Sequence, residues 1–352
     1  MEKVAVLGLG KVGSLAATLL KQSGFHVVGH DLNANAVDFD FDVKTTDVSS
    51  QSSLKQALEN VDAVLSCLPY YLNLDVVKVA KALGLHYFDL TEDVPTTHAI
   101  IEMSSSSKGL MAPQCGLAPG FVGIVGADLI SKFGECRSCR MRVGALPQHP
   151  TGLMGYSFNW SPEGVVNEYL NDCEVIENGH RKFVSAMEWK ESIFIDGMQL
   201  EAFTTSGGLG TMCETYADTV ANLDYKSMRY PGHMDLMNFY FHELLMREDR
   251  KKAGEILVNA KPPVSEDVVY VHVSAEGLIR GKLQREEFVR AYKPVEIAGK
   301  MRTAISWTTA ASVVAIIDMV RSGALPDQGF LKQEDVSLSE FLLSPTGSYY
   351  EK

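Results

Sequence analysis

The sequence has no cluster of lysines or arginines long enough to follow a phosphate backbone, and its formal net charge is −12. Polyanions and anionic lipid would be repelled, so neither a nucleic acid nor a membrane is expected as a partner. The most apolar run, Ala310 to Val320, falls short of the roughly 20 residues that span a bilayer, and it carries Asp318; a buried helix is expected there. No charged-then-apolar leader opens the chain, and its six cysteines (Cys67, Cys115, Cys136, Cys139, Cys173 and Cys213) are scattered. A reducing, cytoplasmic setting is therefore the expectation. There is no G-x-S-x-G, P-loop or kinase motif, and His242-Glu243 lacks the second histidine of H-E-x-x-H. The lone C-x-x-C, Cys136 to Cys139, has neither a second pair nor spaced histidines. Hydrolase, kinase and zinc chemistry lose their support, and no metal is expected.

What is present is an ordinary folding composition: 352 residues, 46% of them hydrophobic. At roughly 150 residues per domain, two domains are favoured. Val4-Ala5-Val6-Leu7 is an unbroken apolar strand of the kind buried on both faces, and glycines turn it into a helical stretch, Lys11 to Gln22. His26 to Asp31, Ala63 to Ser66 and His86 to Asp89 repeat the strand pattern, with helical stretches at Ser52 to Glu59 and Leu72 to Leu83. This α/β alternation predicts a doubly wound parallel sheet, with Leu110 to Ala112 as its last strand. After Gly116-Leu117-Ala118-Pro119-Gly120 the rhythm changes. An apolar helix, Phe121 to Phe133, is followed by period-two segments at Arg140 to Ala145, Ile193 to Ile195 and Val268 to Ser274. These predict an α+β domain with an antiparallel sheet. An apolar helix returns around Ile305 to Val320 and is expected to pack on the first domain.

Gly8-Leu9-Gly10-Lys11-Val12-Gly13 fits G-x-G-x-x-G, a pattern that alone says little because glycine is common. Context sharpens it. The run follows a strand, opens a helix, and is followed about 20 residues on by Asp31 at the end of the next strand. Gly8 permits the tight turn, Gly10 lets the backbone approach a pyrophosphate, and Gly13 allows close helix–sheet packing. The helix N-terminus at Lys11 and Val12 attracts the phosphate charge. Together these predict a Rossmann dinucleotide site. Asp31 would accept from both ribose hydroxyls and repel a 2′-phosphate, so NAD is expected and NADP disfavoured.

Open α/β sheets present ligands at the carboxyl ends of their strands, and two such ends are rich in chemistry. Leu68-Pro69-Tyr70 follows the Ala63 to Ser66 strand, either as a binding edge or as packing at a domain junction. Asp89-Leu90-Thr91-Glu92-Asp93 ends the next strand with three carboxylates. Some of these cap the helix that begins at Pro95, and one is expected to line a cleft.

Several stretches together resemble the saccharopine dehydrogenase (glutamate-forming) and lysine 6-dehydrogenase family across essentially the whole chain. They are Gly8 to Gly13, Leu68-Pro69-Tyr70, Cys115 to Gly120, Leu153 to Val165 with its G-Y-S-F-N-W-S-P-E-G core, and Met228-Arg229-Tyr230-Pro231-Gly232-His233. The resemblance implies a Rossmann domain over 1–118 with 303–352, and a substrate and dimerisation domain over 119–302. It implies NAD(P)-dependent oxidation at a carbon bearing nitrogen. It further implies that Asp47 and Val48 contact adenine, that Leu68 and Pro69 adjoin the cofactor, and that Tyr70, Asp89, Thr91, Cys115, Tyr156 and Trp160 line a substrate cleft between the domains.

One departure bears on the substrate. Saccharopine reductases carry an arginine after W-S-S, whereas here Pro162-Glu163 follows Ser161, and an acid repels a carboxylate and attracts an amine. W-S-P-E-G resembles lysine 6-dehydrogenases, so L-lysine oxidised at its ε carbon is the expected reaction, with Arg229 on the α-carboxylate. An ammonium with a pKa near 10.4 must first become an amine, and Glu163 and Glu92 are the candidate bases. Glu163 reads equally as a first-turn helix acid. The alternatives are saccharopine or a carboxynorspermidine-type imine as substrate, and a non-catalytic NAD-binding module. A homodimer is expected, since long apolar strands in the second domain need a cover.

Overall fold

The computed structural model describes residues 1–33 and 39–351. The chain divides into two compact units, Met1–Phe121 with Ser306–Lys352, and Val122–Ile305. The first begins as β1 (Lys3–Leu7), α1 (Lys11–Gln22), β2 (His26–Asp31), β3 (Asp42–Thr45), α2 (Gln51–Leu58), β4 (Ala63–Ser66), α3 (Asn73–Leu83), β5 (His86–Asp89), α4 (Val94–Ser104) and β6 (Leu110–Ala112). Val4 to Leu7 are fully buried, as a strand covered on both faces requires. α1 buries Leu15, Ala16, Leu19 and Leu20 and leaves Lys11 and Lys21 exposed. Helix ends are chemically marked. Asp93 accepts from the Thr96 N–H (3.0 Å) ahead of α4, and Gly84 closes α3 in the left-handed region with φ 74°.

Across the division the chain continues with α5 (Phe121–Ser131), β7 (Glu135–Pro147), α6 (Pro162–Leu170), β8 (Cys173–Glu177), β9 (His180–Val184), β10 (Glu191–Ile195) and β11 (Met198–Thr204). Then come α7 (Met212–Thr215), β12 (Val220–Arg229), α8 (His233–Asn238), α9 (Arg250–Ala260), β13 (Asp267–Ile279), β14 (Lys282–Tyr292), and a hairpin of β15 (Val295–Ile297) and β16 (Lys300–Arg302). The large sheet has the order β10-β11-β12-β7-β13-β14, with β8 on β12 and β9 on β8. Its pairs are antiparallel except that β12 runs parallel to β7, Tyr225 beside Met141. Alternation in a sequence reports which face is covered and is silent on strand direction. Tyr156, Phe158, Val165, Tyr169, Phe203, Met228 and Phe241 pack into one core.

The chain then returns to the first unit through α10 (Ala304–Ser322), β17 (Gly329–Phe330) and α11 (Leu338–Leu343). The parallel sheet is β17-β6-β5-β4-β1-β2-β3, so β6 is not its last strand: Gly329 and Phe330 pair beyond it with Leu110 and Met111. The strand order reverses between β1 and β4, which makes their carboxyl ends the switch point. α10 outruns the apolar stretch Ala310 to Val320. Its 19 residues are long and apolar enough to cross a membrane by length and composition, and 78% of its most apolar window is buried, as in a core helix.

α10 is started by a buried acid. The fully buried Asp267 accepts from the N–H groups of Ala304 (2.6 Å) and Ile305 (3.0 Å), satisfying first-turn donors and meeting the positive end of the helix dipole. Asp267→Ala is expected to destabilise the protein by about 2–3 kcal/mol, since both donors lose their acceptor where water does not reach. A thermal melt indistinguishable from that of the wild type would remove this role.

Candidate active site

At the switch point the three motif glycines differ in what holds them. Gly8 turns with φ 86°, its N–H donates to the His30 carbonyl (2.8 Å), and a Cβ built on it would stand 2.9 Å from the Cys67 carbonyl. A Cβ on Gly13 would strike the Gly8 carbonyl itself. Gly10 has neither constraint: nothing lies within 4 Å of its Cβ position, and its φ of −65° and ψ of −166° suit any residue. It opens α1 without a side-chain cap, no acid lies in the first turn, and the exposed Lys11 and half-buried Val12 follow. The space and the uncapped dipole fit a pyrophosphate.

Asp31 is fixed beside this loop. Oδ2 accepts from the Leu9 N–H (2.8 Å) and Oδ1 from the Asn33 N–H (2.9 Å). Asp47, exposed, accepts from Oγ–H (2.6 Å) and N–H (3.0 Å) of Ser49, which holds its carboxyl below the ordinary range. Val48 is half-buried against the core. The residues present fit a dinucleotide.

The ends of β4 and β5 lie on the same sheet edge. Leu68 and Tyr70 are half-buried and Pro69 is exposed, with Tyr70 edge-on to Tyr71 at 5.8 Å between ring centroids. Asp89 lies inside this edge. It is fully buried, and its carboxylate accepts from Tyr87 Oη (2.7 Å), Asn73 Nδ2 (3.3 Å) and the N–H groups of Thr91 (3.0 Å) and Gln114 (2.9 Å). It ties β5 to its neighbours. Burial still lifts its carboxyl to about 6. Thr91, 4% exposed, accepts from the Asp93 N–H (3.1 Å), and Cys115 is fully buried with Gln333 Nε2 on its sulfur (3.3 Å). Both shape the turn. Glu92 is the acid left over: half-buried, with burial raising its carboxyl to about 7 and the charges of Asp93 and Asp89 pushing the same way.

The second unit gathers the remaining residues around a buried cation. Arg229, 3% exposed, lies with its guanidinium carbon 4.7 Å from the ring centre of Tyr156 and 5.6 Å from that of Tyr169. Its Nε–H donates to Tyr169 Oη (2.7 Å) and its Nη1–H to the Met228 carbonyl (2.9 Å). Trp160 Nε1–H donates to Tyr156 Oη (3.2 Å). Tyr169 Oη and His233 Nε2 are 3.0 Å apart, and His233 Nδ1 is 3.0 Å from the Met154 carbonyl. Burial and the Arg229 charge lower His233 to about 3, so its ring is neutral. With Nδ1–H donating to Met154, Nε2 accepts from Tyr169. Glu201 accepts from the N–H groups of Gly232 (2.9 Å) and Met234 (2.7 Å), fixing the Gly232 turn, φ 95°, at the head of α8.

Glu163 stands apart. It is exposed in the first turn of α6, and among the described residues its one hydrogen bond comes from Ser161 Oγ–H (3.1 Å), the group that also caps Gly164 N–H (3.1 Å). This is a helix-capping acid, without the closed surroundings that tune a base. Tyr169 and His233 escaped sequence reasoning. His233 sat in a quoted motif, whereas nothing local marks Tyr169. Among the described residues no group of three or more His, Cys, Asp or Glu is arranged to hold a metal ion.

A parallel sheet with a glycine loop at its switch point, an acid closing the second strand and a second, mixed-sheet unit defines a nicotinamide-dinucleotide oxidoreductase class. Residues 4–111 match the saccharopine dehydrogenase NADP binding domain, and residues 116–345 the saccharopine dehydrogenase C-terminal domain. The chain belongs to the saccharopine dehydrogenase family, whose members are NAD(P)-dependent oxidoreductases.

Among curated relatives, the saccharopine dehydrogenase (NADP(+), L-glutamate-forming) of Schizosaccharomyces pombe is 25% identical over 139 residues, 38% of this chain and 31% of that protein. The mitochondrial alpha-aminoadipic semialdehyde synthase of Rattus norvegicus is 24% identical over 257 residues, 67% of this chain and 28% of that protein. The chain thus spans under a third of either. The NAD-dependent L-serine dehydrogenase of Pseudomonas aeruginosa is 26% identical over 141 residues, 38% of this chain and 46% of that protein. The apo saccharopine dehydrogenase (L-Glu forming) structure from Saccharomyces cerevisiae superposes with a TM-score of 0.73 at 16% identity, over 97% of both chains, which shows a shared fold.

Proposed function

We propose that this protein is an NAD-dependent amino-acid dehydrogenase that oxidises an amine-bearing carbon of a monocarboxylic amino acid, with L-lysine, attacked at its ε carbon, as the leading substrate. The observation that carries the reading is Arg229. A guanidinium withdrawn from water between two tyrosine faces has a strong demand for an anion. Nε and one Nη1–H are taken by Tyr169 and Met228, the buried Glu168 adds its negative charge nearby, and Nη2 is read as the group that meets one substrate carboxylate. Saccharopine brings three carboxylates, and the position after W-S where an arginine would serve one of them is Pro162-Glu163. Saccharopine and carboxynorspermidine-type imines remain the alternative within the family, favoured by the names of the relatives.

When bound, the nicotinamide supplies the hydride acceptor. The chain's residues do the rest: Arg229 orients the carboxylate, Glu92 takes the proton that makes an ammonium into an amine, and Asp31 holds the ribose. The six cysteines are thiols and not disulfides, which suits a reducing cytoplasm, and a homodimer remains part of the proposal.

The test is nicotinamide reduction by the purified protein with NAD or NADP against lysine, ornithine, saccharopine and cadaverine. Reduction of NAD by lysine supports the reading. Tight NAD binding without turnover of any amine would replace it with a binding module. The cofactor preference has its own test: Asp31→Ser should raise the NADP-to-NAD ratio of kcat/KM by about tenfold or more, because a carboxylate no longer faces the 2′-phosphate. An unmoved ratio would sink that assignment.

A further inference from the structure

We propose that Tyr169 and His233 are positioning residues for Arg229, joined to it in a one-way hydrogen-bond relay that sets the plane in which the guanidinium meets a carboxylate. This rests on the reading of Arg229 as the carboxylate holder. The relay runs through three elements: Arg229 at the end of β12 donates from Nε to Tyr169 Oη on α6 (2.7 Å), Tyr169 donates to His233 Nε2 on α8 (3.0 Å), and His233 Nδ1–H donates to the Met154 carbonyl (3.0 Å). All three side chains are 3% exposed or less. The direction follows from what each group can do. Arg229 can only donate, so Tyr169 Oη accepts there and must send its proton on, and His233 accepts it only as the Nδ1–H tautomer. A carbonyl that can only accept closes the far end.

The geometry also explains why the phenol is a tyrosine. Phenylalanine would keep the ring face beside the cation and leave Nε–H without an acceptor, so that the Met228 carbonyl alone fixes the plane of the guanidinium by hydrogen bonding. A group that swings presents Nη2 to a carboxylate less often in the aligned geometry that makes such pairs strong. The same loss is not felt by a substrate without a carboxylate.

The experiment uses the full chain with NAD and two probes, L-lysine and the carboxylate-free cadaverine. Tyr169→Phe should raise KM for lysine about tenfold, the scale of one hydrogen bond to a charged group, with kcat within about twofold and the cadaverine KM unmoved. His233→Leu should copy it, and His233→Gln, which keeps an acceptor within reach of Tyr169, should restore most of the affinity. Equal changes for both probes would show a structural role and overturn the relay. Arg229→Gln separates the two ideas. If it fails to discriminate lysine from cadaverine, the carboxylate reading falls and the relay with it. If it discriminates and Tyr169→Phe does not, the relay alone falls. Nitrogen NMR of the His233 imidazole needs no substrate: a proton on Nδ1 and a bare Nε2 are expected, and a proton on Nε2 would reverse the direction and overturn the proposal.

Discussion

Gly13→Ala should weaken NAD binding about a hundredfold, close to 3 kcal/mol, and lower the melting temperature by several degrees. The added methyl would strike the Gly8 carbonyl and stand 3.0 Å from the Cys67 Cβ, so α1 must move off β1 and β4. That shift carries the phosphate-facing N–H groups away from where Asp31 and Gly8 fix them. Gly10→Ala makes the informative contrast. Its methyl meets nothing within 4 Å, and its backbone angles tolerate alanine, so the melt should be unchanged. Its NAD affinity should still fall about tenfold, since the methyl occupies the approach to the pyrophosphate. Calorimetric titration and a thermal melt of both variants decide the matter. Undiminished binding by Gly10→Ala would mean that the loop does not cradle the phosphates.

Glu92→Gln should reduce kcat by about a hundred- to a thousandfold and leave NAD affinity untouched, the signature of a lost base. Burial raises this carboxyl to about 7, and a base accepts a proton only after surrendering its own. The wild-type rate should therefore climb as pH rises through about 7 and level off above it. In the glutamine variant the neutral inflection should vanish. The charges that bear on it are those of Asp93 and Asp89. Asp89 is itself lifted by burial to about 6. An inflection that survives in Glu92→Gln belongs to Asp89, and the base would have to be sought elsewhere.

The reach of sequence reasoning followed the range of the forces involved. β1, the glycine loop and α1 were readable because strand burial, turn chemistry and helical period act within a few residues. β3, Asp42–Thr45, was missed: its residues are exposed apart from the half-buried Val43, so no apolar run marks it. β17 has two residues, too few for any period. The parallel neighbours β7 and β12 lie some eighty residues apart in sequence, and alternation is the same in either direction.

Sites obeyed the same limit. The arrangement of Asp31 and the glycines was legible because their neighbours in sequence are their neighbours in space. Asp89 and Cys115 are the right kinds of residue, yet burial decides their work. Asp89 is closed by donors from Asn73 and Gln114, and Cys115 by Gln333. Glu163 was legible both ways, and its bond to Ser161 fits the helix-end reading.

The discontinuity of the first unit dictates an order of events during synthesis. Ribosomes deliver residues from the N-terminus, so the glycine loop, Asp31 and Glu92 emerge long before Gly329–Phe330 and Gln333. Until then β6 is a bare sheet edge, Leu331 N–H is not yet on the Met111 carbonyl (3.0 Å), and Gln333 Nε2 is not yet on Pro113 (3.1 Å). An unpaired edge invites association with other nascent chains. The second unit, with its own sheet and core, emerges complete while the first still waits. Maturation of the dinucleotide site is thus coupled to translation of the segment after Ile305, and a message truncated within it would yield chains with a folded second unit and an unfinished cofactor domain.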